Sequence, residues 1–265
     1  MKTKSRISSI LNTNTLDQSV TGYPTFHLSK LDIKPDLNLP SPSNPRLGKL
    51  VEHYVFELLK ASSNYTVLAN NLQLLDGDHT LGEIDFILQE NTSDKLIHLE
   101  LAFKFYLFDP CFPFNEAENW IGPNKNDSLI EKLDKLNEKQ FPLLHHKSAK
   151  AALKNLELNN ASQELCLLVS LYLPYDYKEE VGESYKKAIK GCYLNFEAFS
   201  GLNNADKTYY LPPKKEWGMD PSENDNWTDY PSIESTITAS LKEKMSPLCW
   251  QKQNGEFSEF FIVWW

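Results

Sequence analysis

From residue 47 the chain passes from one hydrophobic period to another. Leu47, Leu50, Val51, Tyr54, Val55, Leu58 and Leu59 recur at i, i+3, i+4 and i+7, the spacing of a helix with one apolar stripe. Asn44 is placed to cap this helix, and Pro45 suits its first turn. The period then falls to two. Residues 65–75 are apolar and β-branched in parts and run into Asp76-Gly77-Asp78, a turn signal. Residues 82–89 alternate, with Ile84, Phe86 and Leu88 on one side and Glu83, Asp85 and Ile87 on the other. A polar hairpin loop, 90–95, leads into residues 96–107. There Ile97, Leu99, Leu101, Phe103, Phe105 and Leu107 form one apolar face, and His98, Glu100, Ala102, Lys104 and Tyr106 form the other. Residues 127–140 read as a helix with Leu129, Leu133 and Leu136 inward and Asn126 or Asp127 as cap. Residues 164–173 read as a buried strand, so the order is α-β-β-β-α-β.

The flanks read differently. Residues 1–45, rich in Ser, Thr, Asn and Pro, are expected to be an irregular leader that wraps or trails from the domain. Residues 176–265 carry strand-like aromatic pieces at 192–196 and 260–265 and are expected to form an α+β extension to the core at 46–175. Within the extension, residues 216–235 hold six acidic side chains and no Lys or Arg, with Pro221 and Pro231, and read as an acidic loop.

Composition narrows the class. Across 265 residues, 41% hydrophobic and 12% aromatic content is enough for a core, which excludes a wholly disordered chain. Cys111, Cys166, Cys192 and Cys249 share no metal-type C-x-x-C spacing and read as isolated thiols of a reducing compartment. The longest apolar stretch, 165–173, has about half the length of a membrane span. The expectation is a cytoplasmic protein with no membrane association. A net charge of −9 argues against coating nucleic acid through bulk electrostatics. The charge is uneven, however. Residues 121–156 place Lys125, Lys132, Lys135, Lys139, Lys147, Lys150 and Lys154 against four acidic residues. That run is either a solvated helix face or a track for phosphates.

Asp85 and Glu100 are the candidate chemistry. If their strands are antiparallel neighbours, both carboxylates face one side of the sheet, and a hard divalent ion would relieve their repulsion. The alternative is that Glu83, Asp85 and Glu100 lie on a solvated strand face. The chain contains no Walker A loop, G-x-G-x-x-G, H-E-x-x-H or G-x-S-x-G motif.

The element order, with Asp85 on the second strand and Glu100 on the third, resembles the core of the PD-(D/E)XK nuclease superfamily, a restriction-endonuclease-like α/β fold with a mixed sheet. More narrowly, Leu81-Gly-Glu-Ile-Asp85-Phe86, His98-Leu-Glu100-Leu-Ala-Phe-Lys104-Phe-Tyr106 and Gly122-Pro123-Asn124 look like the signature of one uncharacterised bacterial family of that superfamily. The close match spans roughly residues 46–145. The resemblance implies a nuclease that hydrolyses phosphodiester bonds in DNA or RNA. Mg2+ or Mn2+ would be held by Asp85, Glu100 and the carbonyl of Leu101. An acidic residue on the first helix often joins them, and the resemblance favours Glu52, although helical geometry alone does not separate it from Glu57.

The motif departs from the superfamily at the lysine, which normally stands two residues after the glutamate, where this chain has Ala102. Lys104 lies roughly 13 Å along the strand from Glu100, at about 3.3 Å per residue. Lys132 on the following helix is the second candidate. His98, Asn124, Lys125, Lys135 and Lys139 are the candidate substrate contacts. The competing expectation is a catalytically inactive module that keeps the fold and binds nucleic acid or a protein partner, the latter through the C-terminal extension.

Overall fold

The computed structural model describes residues 3–33, 39, 42–43, 45–111, 116–202 and 206–265. The N-terminal segment expected to be irregular opens with a helix, α1 (Thr3–Asn12), and a single turn, α2 (Gln18–Thr21). The amphipathic stripe forms α3 (Leu47–Ala61) and buries all seven apolar residues of the pattern. Arg46 is its N-cap residue, without a side-chain cap bond, and Asn44 lies outside the described residues. The strands β1 (Tyr65–Asp76), β2 (His79–Glu90) and β3 (Leu96–Phe108) follow, then the short β4 (Trp120–Ile121). Next come α4 (Leu129–Lys135), a π-helical turn at Leu136–Gln140, a 3-10 turn at Phe141–His145, and α5 (Lys147–Ala152). The chain continues through β5 (Ser162–Pro174), α6 (Glu183–Lys186), β6 (Ile189–Asn195), α7 (Phe196–Gly201), β7 (Lys207–Tyr210), α8 (Tyr230–Lys242), β8 (Leu248–Gln253) and β9 (Glu256–Val263).

These strands make one mixed sheet in the order β1-β2-β3-β5-β6-β9-β8-β7, with β4 paired to the end of β3. β1, β2 and β3 are antiparallel, and β5 joins β3 in parallel in unbroken register from Ile97↔Ser162 to Leu107↔Tyr172. A parallel pair needs a crossover, and the helical segment from α4 to α5 supplies it. β6 and β9 continue in parallel, and β8 and β7 close the far side antiparallel. The strands of the C-terminal extension therefore extend the same sheet.

The central strands are covered on both faces. Val51, Tyr54, Val55 and Leu58 of α3 pack with Phe86, Leu88, Leu99, Cys166 and Leu168. On the opposite face Leu165, Leu167, Val169 and Leu171 pack with Trp120, Leu129, Leu136 and Phe141. A strand buried on both sides reads as a continuous apolar run, which is the sequence of β5. β6 reaches only the last residues of β5, from Leu171 onward. The N-terminal segment occupies the rest of that edge: Leu16 and Phe26 donate backbone N–H bonds to the carbonyls of Leu167 and Leu165. The leader thus satisfies backbone groups that would otherwise be an open edge.

Two expectations change at helix ends. Ser128 caps α4, its side chain accepting the Glu131 N–H, whereas Asp127 takes another role described below. The last residues of the expected acidic loop are the first turns of α8, capped by Asp229 with Pro231 in the first turn. Acidic residues and proline are loop signals and helix N-terminus signals alike. Among the described residues no helix is long and apolar enough to cross a membrane.

Arg6 ties the leader to the extension. It is fully buried on α1, and its guanidinium donates to the carbonyls of Trp217 (2.8 Å) and Lys215 (2.6 Å) and to the Ser9 hydroxyl (3.2 Å). Arg6→Ala removes these bonds and leaves the buried Trp217 carbonyl unpaired, so we expect a loss of about 2–3 kcal/mol in unfolding free energy. Urea unfolding should show a lower midpoint at unchanged slope; an unchanged midpoint would show that the clamp contributes nothing.

Candidate functional site

The ladder between β2 and β3 runs from Gln89↔Leu96 to Phe86↔Leu99 and stops there, although both strands continue. Beyond that point β2 stays with β1 and β3 stays with β5, so the sheet forks. Asp85 and Glu100 are the residues next to the last pair. The Asp85 carboxylate accepts the Leu101 N–H at 2.9 Å, in the place where a strand carbonyl would have accepted it. A cleft of about 600 Å3 opens at the fork. Leu101, Ala102, Phe103, Lys104 and Phe105 of β3 line it. Leu47, Val51 and Glu52 reach it from α3, Lys132 and Lys135 from α4, and Gln140 from the π-helical turn.

Glu100 is fully buried, not on a solvated face. Its Oε1 lies 2.9 Å from His98 Nε2, and its other oxygen accepts a hydrogen bond from Gln140 Nε2. The Gln140 carbonyl in turn accepts from Lys132 Nζ at 2.8 Å. One chain of bonds therefore links Lys132, Gln140, Glu100 and His98. The widened π turn aims Gln140 at Glu100, a use of π geometry common at functional sites. Burial pushes the Asp85 carboxyl up to about 7, with the Glu100 charge adding to the effect. Burial likewise pushes Glu100 up to about 7, against the pull of Lys132. Burial pushes the His98 imidazole down to about 4, so the ring is neutral. Its contact with Glu100 is a hydrogen bond within a buried network, not an ion pair. Burial also lowers the Lys132 ammonium, with Glu100 and Asp85 opposing.

A second group of carboxylates stands on the α3 side. Glu52, Glu83 and Asp85 each place an oxygen within 4.8 Å of the others. Glu83 and Asp85 share a face because they are two apart on β2. Lys49 bridges Glu52 (3.0 Å) and Glu83 (2.9 Å). Glu57 pairs with Lys60 at 3.3 Å and does not line the cleft. Lys104 Nζ lies 2.6 Å from Asp127 Oδ2. Gly122 makes room for this, since a Cβ there would overlap the Asp127 carboxylate.

The fork thus brings together Asp85, Glu100, Leu101, Glu52, Lys104 and Lys132, with Lys135 at the cleft wall. The remaining sequence candidates are elsewhere. His98 sits behind Glu100, away from the cleft lining. Asn124 accepts the Ser246 N–H at 2.8 Å and holds the extension. Lys125 Nζ lies 3.9 Å over the Trp265 ring. Lys139 is exposed outside the cleft. Sequence reasoning passed over Lys49 and Lys214, took Glu83 only as part of a solvated face, and gave Gln140 no more than a place at the border of the helix. The i, i+2 spacing of Glu83 and Asp85 was a usable signal. Gln140 depends on the π turn, and Lys214 enters the cleft from a distant segment, so neither left a local pattern.

A family model described as "Domain of unknown function (DUF1853)" matches residues 12–263. The chain belongs to this family. No curated protein and no solved structure matches the chain. The DUF1853 match takes in all nine strands and every residue of the cleft.

Asp85 in this DUF1853 chain makes a signed prediction. Its folded value of about 7 lies above the ordinary carboxyl value of 3.8, so the folded chain holds a proton that the unfolded chain has released between those limits. Stability contributed by this group therefore falls as pH rises from about 4 to about 7. In chelator-containing buffer, Asp85→Asn should match the wild type near pH 4, gain on it through that window and level off above it. Urea midpoints across pH test this, and a pH-independent difference would refute it.

Proposed function

We propose that this chain is a metal-dependent phosphodiesterase acting on DNA or RNA, built on a restriction-endonuclease-like core formed by α3, β1, β2, β3, α4 and β5. The observation that carries this reading is the fork. It holds the two motif carboxylates side by side, with a half-buried lysine connected to one of them through a single glutamine. Ala102 leaves the usual lysine position small, and Lys132 enters the same cleft from α4. The lysine has in this reading moved from strand to helix.

The donors fit a hard divalent cation. They are carboxylate oxygens, crowded and buried enough to raise Asp85 and Glu100 together against the pull of Lys132. Asp85, Glu100 and the Leu101 carbonyl, with Glu52, would hold Mg2+ or Mn2+, and Glu83 stands beside them. Bound there, the ion would polarise the phosphate and lower the pKa of a bound water. The protein's part is positional. Gln140 fixes Glu100 and Lys132 relative to each other, and neutral His98 orients the far oxygen of Glu100. Lys132 donates toward a phosphate oxygen in the cleft, while Lys135 and Lys214 hold flanking phosphates. The four unpaired cysteines accord with a reducing, cytoplasmic setting.

One observation favours the non-catalytic alternative. Both oxygens of Glu100 are already engaged, by His98 and Gln140. A module of that kind would bind nucleic acid, or a protein through the extension, without cutting.

The test is cleavage of single- and double-stranded DNA and RNA with Mg2+ or Mn2+. Asp85→Asn and Glu100→Gln should each lose about 10^2- to 10^4-fold in rate. Lys132→Met should lose rate by a similar factor yet keep metal affinity. Absence of both cutting and metal binding would overturn the proposal; metal-free binding of nucleic acid without cutting would favour the alternative.

A further inference from the structure

The fork exposes both faces of one strand, and the two faces differ in chemistry. On the α3 side Leu47, Val51, Leu101, Phe103 and Phe105 form an apolar patch beside the carboxylates of Glu52 and Asp85. Leu101 and Phe103 are its partly exposed members. On the α4 side the cleft presents Lys132 and Lys135, with Lys104 paired to Asp127 and Glu131 nearby. Phe103 is held in place. Its ring meets Phe105 edge to face at 5.3 Å, and Gly218, at φ 79°, leaves only a glycine's width beside the ring tip. Lys214 adds a fourth cation to the cleft, its Nζ 5.4 Å from the Trp217 ring centre.

A base-paired duplex offers such a recess sugar, phosphate and base edges but no base face, because its bases are stacked inside. An apolar patch with a fixed, partly exposed aromatic ring gains energy only from a base that is free to leave the stack. The cations on the other face of the strand suit the phosphates on either side of that base. We propose that the cleft takes an unpaired nucleotide, from a single strand or a frayed strand end, with its base against Leu101 and Phe103 and its phosphates on Lys132, Lys135 and Lys214. This rests on the phosphodiesterase reading and narrows its substrate class.

Fluorescence anisotropy in chelator-containing buffer separates the two, since binding is read without cleavage. The probes are labelled oligo(dT), oligo(U) and a blunt-ended DNA duplex of equal length. Single strands should bind about tenfold more tightly than duplex. Phe103→Ala should weaken single-strand binding by about tenfold and leave duplex binding unchanged, and Phe103→Leu, which keeps apolar bulk without a stacking face, should weaken it nearly as much. Lys214→Ala, at an exposed position outside the core, should lower the salt slope by about one for every probe. Thermal midpoints of the variants show whether each remains folded. If duplex binds as tightly as single strands, or Phe103→Ala changes nothing, the unpaired-nucleotide inference fails while the phosphodiesterase reading stands. If no nucleic acid binds at all, the unpaired-nucleotide inference fails, and the phosphodiesterase reading is then decided by the cleavage and metal-binding tests.

Discussion

The parting of β2 from β3 after Phe86 and Leu99 is the constraint on which the site depends. Two neighbouring strands that separate leave backbone donors and acceptors without their ladder partners, and each must be satisfied in another way. Asp85 does so for the Leu101 N–H. The same carboxylate that repairs the ladder also faces Glu52 and Glu83, so a structural need and a candidate chemical role coincide at one residue. The cleft, the exposure of both faces of β3 and the proximity of α3 and α4 all follow from that separation.

A fork in a central strand survives only where both faces remain covered elsewhere. α3 covers one face, and the segment from α4 to α5 covers the other, while the N-terminal segment closes the part of β5 that β6 does not reach. This burial makes the polar chain from Lys132 to His98 energetically consequential. In a low-dielectric interior a satisfied network is rigid, and removing any member strands its neighbours. The π turn in the middle of the covering segment is consistent with that view, because it supplies Gln140 to a glutamate that would otherwise have a buried oxygen without a donor.

Much of this was legible in the chain. Period and alternation located α3, β1, β2, β3 and β5 to within a few residues, because each packs one or both faces against the core and the pattern records that packing directly. The pairing of Asp85 with Glu100 followed from strand alternation and a short hairpin. Burial of Glu100 did not, since a glutamate between two apolar neighbours looks the same on a solvated face as under a helix. The helix α1 was hidden because its buried face is polar, with Ser5, Arg6 and Ser9 inward beside Ile7 and Ile10. The start of α8 was hidden because Asp and Pro mark loops as readily as helix N-termini. Contacts such as Lys214 at the cleft or Asn124 on Ser246 join segments far apart in sequence, and no local pattern encodes them.

The net charge of −9 takes its meaning from where the fold puts its parts. The cleft holds four lysines and four acidic residues, so locally it is balanced. The acidic segment after it is gathered elsewhere, with Glu216, Asp220, Glu223 and Asp225 lining a separate pocket beside Ser5 and Tyr210. Arg6 anchors the start of that segment through the carbonyls of Lys215 and Trp217, so one buried cation holds a cleft lysine and the acidic pocket in fixed relation. A polyanion nearing this surface meets repulsion at the acidic pocket and a balanced, lysine-bearing opening at the fork. Total charge therefore says little about whether such a ligand binds, while its separation across one clamped segment says by which side it would enter.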